Sequence, residues 1–253
     1  MELDTEWRDP DPLVCNARHW YDVMSLITRA FDPEQYQSIS GEVVSGVDAI
    51  AAEHVKMLGG MQQISRDRMG DPPMLIGEFG TPYEMNGGEA FRTGDWSKQE
   101  VALDASYRAM DELLLHTTQW NYTADNTHDH GDQWNDEDLS IFSPDDVTDP
   151  ADLDSGARAL RAFCRPYVRH WAGAPGRMAF DLERGEFTAE LEREVGIDAP
   201  TVVFVPRVHY PHGPTVIVST GEATYHVATQ LLSWFTPRDA GTISLRLTRE
   251  PRA

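Results

Sequence analysis

Met74-Leu75-Ile76-Gly77-Glu78-Phe79-Gly80 is the stretch whose reading decides the fold of this chain. Its first three residues are a short continuous apolar run, as in a parallel strand buried on both faces. Gly70-Asp71-Pro72-Pro73 breaks the chain just before it. Glu78 sits between two glycines at the end of the run. A carboxylate there cannot point into an apolar core without large cost. It is expected to emerge at the carboxyl end of the strand, where α/β barrels keep their catalytic groups. The pattern alone also allows a structural acid that accepts backbone hydrogen bonds.

Upstream, Val47, Ile50, His54, Leu58 and Met61 recur at intervals of three and four, which predicts one face of a helix. Further upstream, Leu13-Val14-Cys15 begins a strand candidate that ends in His19-Trp20-Tyr21. Downstream, a polar loop runs from Thr81 to Trp96. Ser97 with Glu100 then has the form of a capping box. Leu103, Tyr107, Met110 and Leu114 form the apolar stripe of the helix that follows. Thr117 to Tyr122 reads as a third strand, and Thr123 to Ser143 as a long polar loop. A helix is expected from about Ser155 to Cys164, ended by Pro166. Strand and helix thus alternate three times, which predicts a parallel sheet.

The pattern changes after Ala172. Met178 to Leu182, Val202 to Val205, Thr215 to Ser219, Tyr225 to Ala228 and Thr242 to Thr248 are short strand candidates separated by Pro and Gly. Ile243, Leu245 and Leu247 alternate with polar residues, the period of a half-buried strand. The expected division is an α/β domain over residues 1–172 and an antiparallel β-sandwich over 173–253.

Composition narrows the function. The chain has 253 residues, is 40% hydrophobic and 25% charged, and carries a formal charge of -21. That is a globular composition. The negative field repels phosphate backbones, so nucleic acid is not an expected partner. Lys56 and Lys98 are the only lysines; the acid-rich, lysine-poor balance is read as the mark of a GC-rich genome rather than of life at high salt. Apolar runs stay below the roughly 18 residues of a membrane span, and the first residues lack a signal-peptide pattern. Localisation stays open. Cys15 and Cys164 lie far apart without metal spacing and are expected as two thiols.

Several residues have the chemistry of a site. His19 and Tyr21 are two apart and share a face if their strand continues; they could hold a carboxylate or a sugar hydroxyl, or form a satisfied core pair. Trp120 ends the third strand candidate and Trp134 lies in the loop beyond; either could stack on a sugar ring or belong to the core. His128, Asp129, His130 and Asp132 are metal-ligand types, but no helix fixes their spacing, so a polar substrate loop is expected in preference to a metal site. There is no glycine-rich phosphate loop and no serine elbow.

Taken together, His19-Trp20-Tyr21, Ile76-Gly77-Glu78-Phe79-Gly80 and Gln119-Trp120-Asn121-Tyr122 resemble the sixth, seventh and eighth strand ends of glycoside hydrolase family 5. The run from Trp120 to Asn126, with Gly131-Asp132-Gln133-Trp134-Asn135-Asp136-Glu137-Asp138-Leu139-Ser140, is similar to the branch containing endoglycoceramidases and glucosylceramidases. Arg165-Pro166-Tyr167 and the tail resemble that branch's C-terminal β-sandwich. The resemblance implies the last three βα units of a TIM barrel followed by that sandwich. It implies a retaining β-glycosidase acting on a glycoside such as a glycolipid, without a cofactor. Glu78 matches the nucleophile and Tyr21 the residue that orients it. His19, Trp120, Asn121 and Trp134 match substrate-binding positions. The family's acid/base Glu follows an Asn on the fourth strand. Only Glu2 and Glu6 precede His19, and neither follows Asn. The isolated chain is therefore expected to be inactive, with a glycan-binding role as the alternative. Its open sheet edges are expected to favour self-association or completion by a partner chain.

Overall fold

The computed structural model describes residues 14–239 and 241–249. The chain forms two compact units, residues 1–160 and 161–253.

The first unit is α/β. β1 (Asn16–His19) leads through α1 (Val23–Thr28), β2 (Tyr36–Gln37), β3 (Val43–Val44) and α2 (Val47–Met69) to β4 (Met74–Phe79). α3 (Met85–Thr93) and α4 (Ser97–Glu112) lead on to β5 (His116–Gln119). The central sheet has the order β1-β4-β5, parallel throughout, and β2 and β3 form a separate small hairpin. The strand–helix alternation read from the sequence thus gives a parallel sheet, with β4 in the middle.

β4 follows its apolar pattern: Met74, Ile76 and Phe79 are buried, while Glu78 at its end is half-exposed. β1 does not start in the apolar segment expected. Leu13 lies outside the described residues, Val14 and Cys15 precede the strand, and β1 is the polar run Asn16–His19. Backbone pairing to β4 makes that strand, where the apolar residues had suggested burial would. β5 likewise stops at Gln119, three residues short of the expected end, where a cis peptide joins Trp120 to Asn121.

The helices bury most of the expected stripes, but α4 ends at Glu112, so Leu114, at a φ of 51°, lies beyond the helix it was expected to join. From α2, Ile50, Ala51, His54 and Leu58 are buried; from α4, Leu103 and Met110. Leu58, Ala109 and Met110 meet Trp20, Met74, Ile76 and Phe79 in one core cluster. His54 lies edge-on to Trp20, ring centroids 4.8 Å apart. The Tyr36 phenol donates its proton to Asp22, so His54 Nε2–H donates to the Tyr36 oxygen at 3.2 Å. Burial pushes His54 down to about 4, so it stays neutral.

Three local expectations are corrected. Ser97 makes no capping box: Trp96 occupies the N-cap position, and the Asp95 carboxylate accepts from Ser97 N at 3.0 Å. The loop from Thr81 to Trp96 contains α3, interrupted at Asn86, Gly87 and Gly88 by backbone at φ of 56°, 70° and 64°. Residues 155–159 are a turn, a bridge from Ala157 to Phe142 and a bend, leaving only a short α5 (Leu160–Phe163) of the helix expected there.

The second unit consists of two four-stranded antiparallel sheets. β6 (Tyr167–His170), β9 (Thr201–Phe204), β11 (Glu222–His226) and β12 (Leu231–Phe235) form one, in the order β11-β12-β9-β6. β7 (Gly173–Asp181), β8 (Glu186–Arg193), β10 (Pro214–Val218) and β13 (Thr242–Arg249) form the other, in the order β10-β13-β8-β7. Phe187, Ala189 and Leu191 of β8, Ile243, Leu245 and Leu247 of β13, and Leu232 and Trp234 of β12 are buried at alternate positions. One buried face per sheet is the signature of a sandwich. Because β6 pairs with β9, this unit begins before the expected boundary at residue 173. No helix among the described residues is long and apolar enough to cross a membrane.

Candidate active site

The parallel sheet brings two predicted residues, His19 and Tyr21, to the Glu78 carboxylate. Trp20 turns into the core beyond the end of β1, and its N–H donates to Glu78 O at 2.9 Å. That bond extends the alternation past the strand, so His19 and Tyr21 face the same way. The Tyr21 hydroxyl donates to Glu78 Oε2 at 3.1 Å. His19 Nδ1 lies 3.1 Å from the same oxygen. Among the described residues no hydrogen bond falls on Oε1. The carboxylate is therefore oriented through one oxygen and open at the other.

Burial, and then the hydrogen bond to Glu78, pushes the Tyr21 phenol above its ordinary value. Tyr21 therefore remains a protonated donor at neutral pH. Tyr21→Phe should remove one charge-assisted bond without altering shape. Such bonds contribute about 1.5–3 kcal/mol, so kcat/KM should fall by roughly 10- to 100-fold in whatever reaction Glu78 performs. Steady-state kinetics on the protein isolated from its source check this, and an unchanged kcat/KM would contradict the orienting role.

Two glycines let the strands approach. A Cβ on Gly77 would lie 3.3 Å from the His19 ring. A Cβ on Gly80 would lie 2.4 Å from the Trp120 carbonyl oxygen, a backbone atom that cannot swing away. Gly80→Ala should thus displace the Trp120 segment and cost about 1–3 kcal/mol of stability. A denaturation midpoint equal to that of the parent would contradict this.

Trp120 N donates to Phe79 O at 2.8 Å, which places Trp120 beside the end of β4. Asn121 faces elsewhere. Its Nδ2 donates to Asp132 at 3.0 Å, and its Oδ1 accepts from Thr123 at 3.0 Å. Its amide therefore holds the following loop. Trp134, at the tip of that loop, is 62% exposed. The structure thus joins His19, Tyr21 and Glu78 directly, sets Trp120 beside the end of β4, and holds Trp134 exposed in the loop after β5.

The loop after β5 is a polar network. Asp132 accepts from Asn121, from Asn126 at 3.0 Å and from Leu139 N at 2.8 Å. Asn126 also donates to Asp138. Arg158, fully buried, pairs with Asp138 at 2.6 Å and Asp146 at 2.8 Å. Its guanidinium lies over the rings of Tyr83, Phe91 and Trp96. A short 3-10 turn at Pro144–Asp146 presents Asp146, which also meets His128 at 3.0 Å. His128 and Asp132 are thus engaged within the protein, and no cluster of three metal-ligand side chains occurs among the described residues. Arg158 escapes a sequence reading because its partners are scattered along the chain from Tyr83 to Asp146.

Comparison with known proteins bears on the family resemblance. Residues 165–247 match the glycoside hydrolase family 5 C-terminal domain. A glucosylceramidase of Cryptococcus neoformans is 29% identical over 99% of this chain and 38% of its own length. An ergosteryl-beta-glucosidase of Saccharomyces cerevisiae is 28% identical over 87% of this chain and 38% of its own. The solved structure of sterylglucosidase 1 from Cryptococcus neoformans superposes with a TM-score of 0.84 at 29% identity, over 93% of this chain and 38% of that one. The chain spans about two fifths of the length of the relatives it matches. The resemblance to the glucosylceramidase-like branch of family 5 therefore holds over both the α/β unit and the sandwich.

Proposed function

We propose that this chain, which resembles the glucosylceramidase-like branch of glycoside hydrolase family 5, provides the nucleophile of a retaining β-glucosidase acting on lipid-linked glucose. β1, β4 and β5 are read as the sixth, seventh and eighth strands of an eightfold barrel. The observation that carries the reading is the Glu78 carboxylate at the end of β4, held on Oε2 by Tyr21 and His19 and open on Oε1.

In such a reaction the open carboxylate oxygen attacks the anomeric carbon and the aglycone leaves with a proton. A covalent glycosyl-enzyme results, which water then hydrolyses. The donated bond from Tyr21 fixes the attacking group before the reaction, so little reorganisation is needed. Trp120 offers an aromatic face beneath the sugar beside the scissile bond. The proton donor is a second carboxyl, about 5 Å away in retaining enzymes. The resemblance sets that group on a strand earlier than the counterpart of β1. The names of the relatives suggest a sterol or a ceramide as the aglycone.

The test is product stereochemistry. The protein isolated from its source, given a steryl β-glucoside or a glucosylceramide, should release β-glucose first, followed by NMR. Release of the α-anomer would contradict the retaining assignment. Binding of either glucoside without turnover would support a glycan-binding role instead.

A further inference from the structure

Glu137 lies on the loop that returns to the end of β4, yet has no part in the chemistry described above. It is half-buried in the loop after β5. Its backbone is fixed on both sides: Glu137 N donates to Trp134 O at 3.0 Å, and Asp132 N donates to Glu137 O at 2.8 Å. Gly131 packs so tightly on this turn that a Cβ there would lie 2.3 Å from Glu137 O. The Arg29 guanidinium donates to the neighbouring Asp136 carbonyl. The next two residues reach the end of β4. Asp138 O accepts from Tyr83 N at 2.7 Å, and the Leu139 side chain lies 3.2 Å from where a Gly80 Cβ would be. A rigid turn thus suspends Glu137 over the end of the strand that carries Glu78.

The Glu137 carboxylate itself makes no hydrogen bond or ion pair among the described residues. Its charge is nonetheless felt by the Tyr21 phenol, and it feels that of Glu78. Burial pushes the Glu137 carboxyl above its ordinary value, Asp132 and Glu78 add to this, and Arg29 opposes it. A fixed, partly desolvated acceptor without a protein donor has its hydrogen bonds still to make. Two carboxylates facing one site disfavour an anionic ligand and favour one rich in neutral donors.

We propose that Glu137 accepts hydrogen bonds from the hydroxyls of the sugar whose anomeric carbon faces Glu78, and so selects a neutral, fully hydroxylated glycone. This rests on the reading of Glu78 as nucleophile. Glu137 is then a specificity-determining residue.

The experiment compares the parent protein, isolated from its source, with Glu137→Gln. The substrates are an aryl β-glucoside and its 4-deoxy and 6-deoxy analogues. The variant should lose about 10- to 100-fold in kcat/KM on the parent glucoside. It should match the parent protein on at least one deoxy analogue, with an unchanged melting temperature. Equal discrimination among the three substrates in both proteins would overturn the proposal. Rescue of the variant by azide would also overturn it, because that marks a proton-transfer role. Glu78→Gln, assayed alongside, separates the two possible failures. If it retains turnover, the nucleophile assignment falls and this proposal with it. If it is inactive while Glu137→Gln keeps full discrimination, only the role of Glu137 falls.

Discussion

Glu78→Gln should reduce glucoside turnover by about 10⁴-fold or more in the protein isolated from its source, the scale seen when a covalent catalyst is removed. The substitution keeps the shape, and an amide oxygen can still accept from Tyr21. It cannot attack an anomeric carbon, because it carries no negative charge. Glu78 lies at the strand end and contributes nothing to the apolar cluster around Ile76 and Phe79. Stability should therefore change by no more than about 0.5 kcal/mol. A large kinetic loss with an unchanged melting curve separates chemistry from folding. Tyr21→Phe should lie well between this variant and the parent. Turnover by Glu78→Gln within tenfold of the parent would remove Glu78 from the nucleophile role.

Arg158→Met should be the most destabilising single change in the first unit. The Arg158 side chain is completely buried against Tyr83, Phe91 and Trp96, with Asp138 and Asp146 as charged partners. Met fills much of the volume but leaves two carboxylates without their cation. Breaking a buried pair from one side typically costs about 3–5 kcal/mol. The deficit should also depend on pH. Burial holds the Asp138 carboxyl above its ordinary value, and the Arg158 charge and hydrogen bond pull it back. Without Arg158 it rises further. A carboxyl raised in the folded state binds more protons folded than unfolded, so stability falls as pH rises through that window. The variant should therefore lose more, relative to the parent, at about pH 7 than at about pH 5. Adding Asp138→Asn should recover part of the loss. Denaturant titrations at the two pH values check this; a deficit below about 1 kcal/mol, or one independent of pH, would contradict it.

The middle strand was legible because its own residues carry the signal. An apolar run ending in Gly-Glu-Phe-Gly states both burial and the place where the chain must surface. His19 and Tyr21 were legible because alternation sets them on one face if the strand continues, and the bond from Trp20 N to Glu78 O carries it on. β1 was misplaced because its pairing comes from backbone bonds to β4, and polar Asn16–His19 has no apolar pattern to show it. β8 was missed although Phe187, Ala189 and Leu191 alternate, because charged neighbours on the outer face mask the inner one. The Ser97–Glu100 signature failed where Asp95, two residues earlier, reached the amide first. Of the site, the residues that face Glu78 from adjacent strands could be read. The turn carrying Glu137 could not, because Asp132, Gly131 and Arg29 fix it through contacts that no local spacing records.

The central claim is that Glu78 becomes covalently attached to sugar. The most direct measurement is mass spectrometry of the protein isolated from its source after incubation with an activated 2-deoxy-2-fluoro-β-glucoside, followed by peptide mapping. The electron-withdrawing fluorine slows hydrolysis of the glycosyl-enzyme, so the intermediate should accumulate. The account predicts one added fluoroglucosyl group on the peptide containing Gly77-Glu78-Phe79-Gly80, and none in Glu78→Gln. A label on any other carboxylate, or turnover of natural substrate with no label at all, would contradict it.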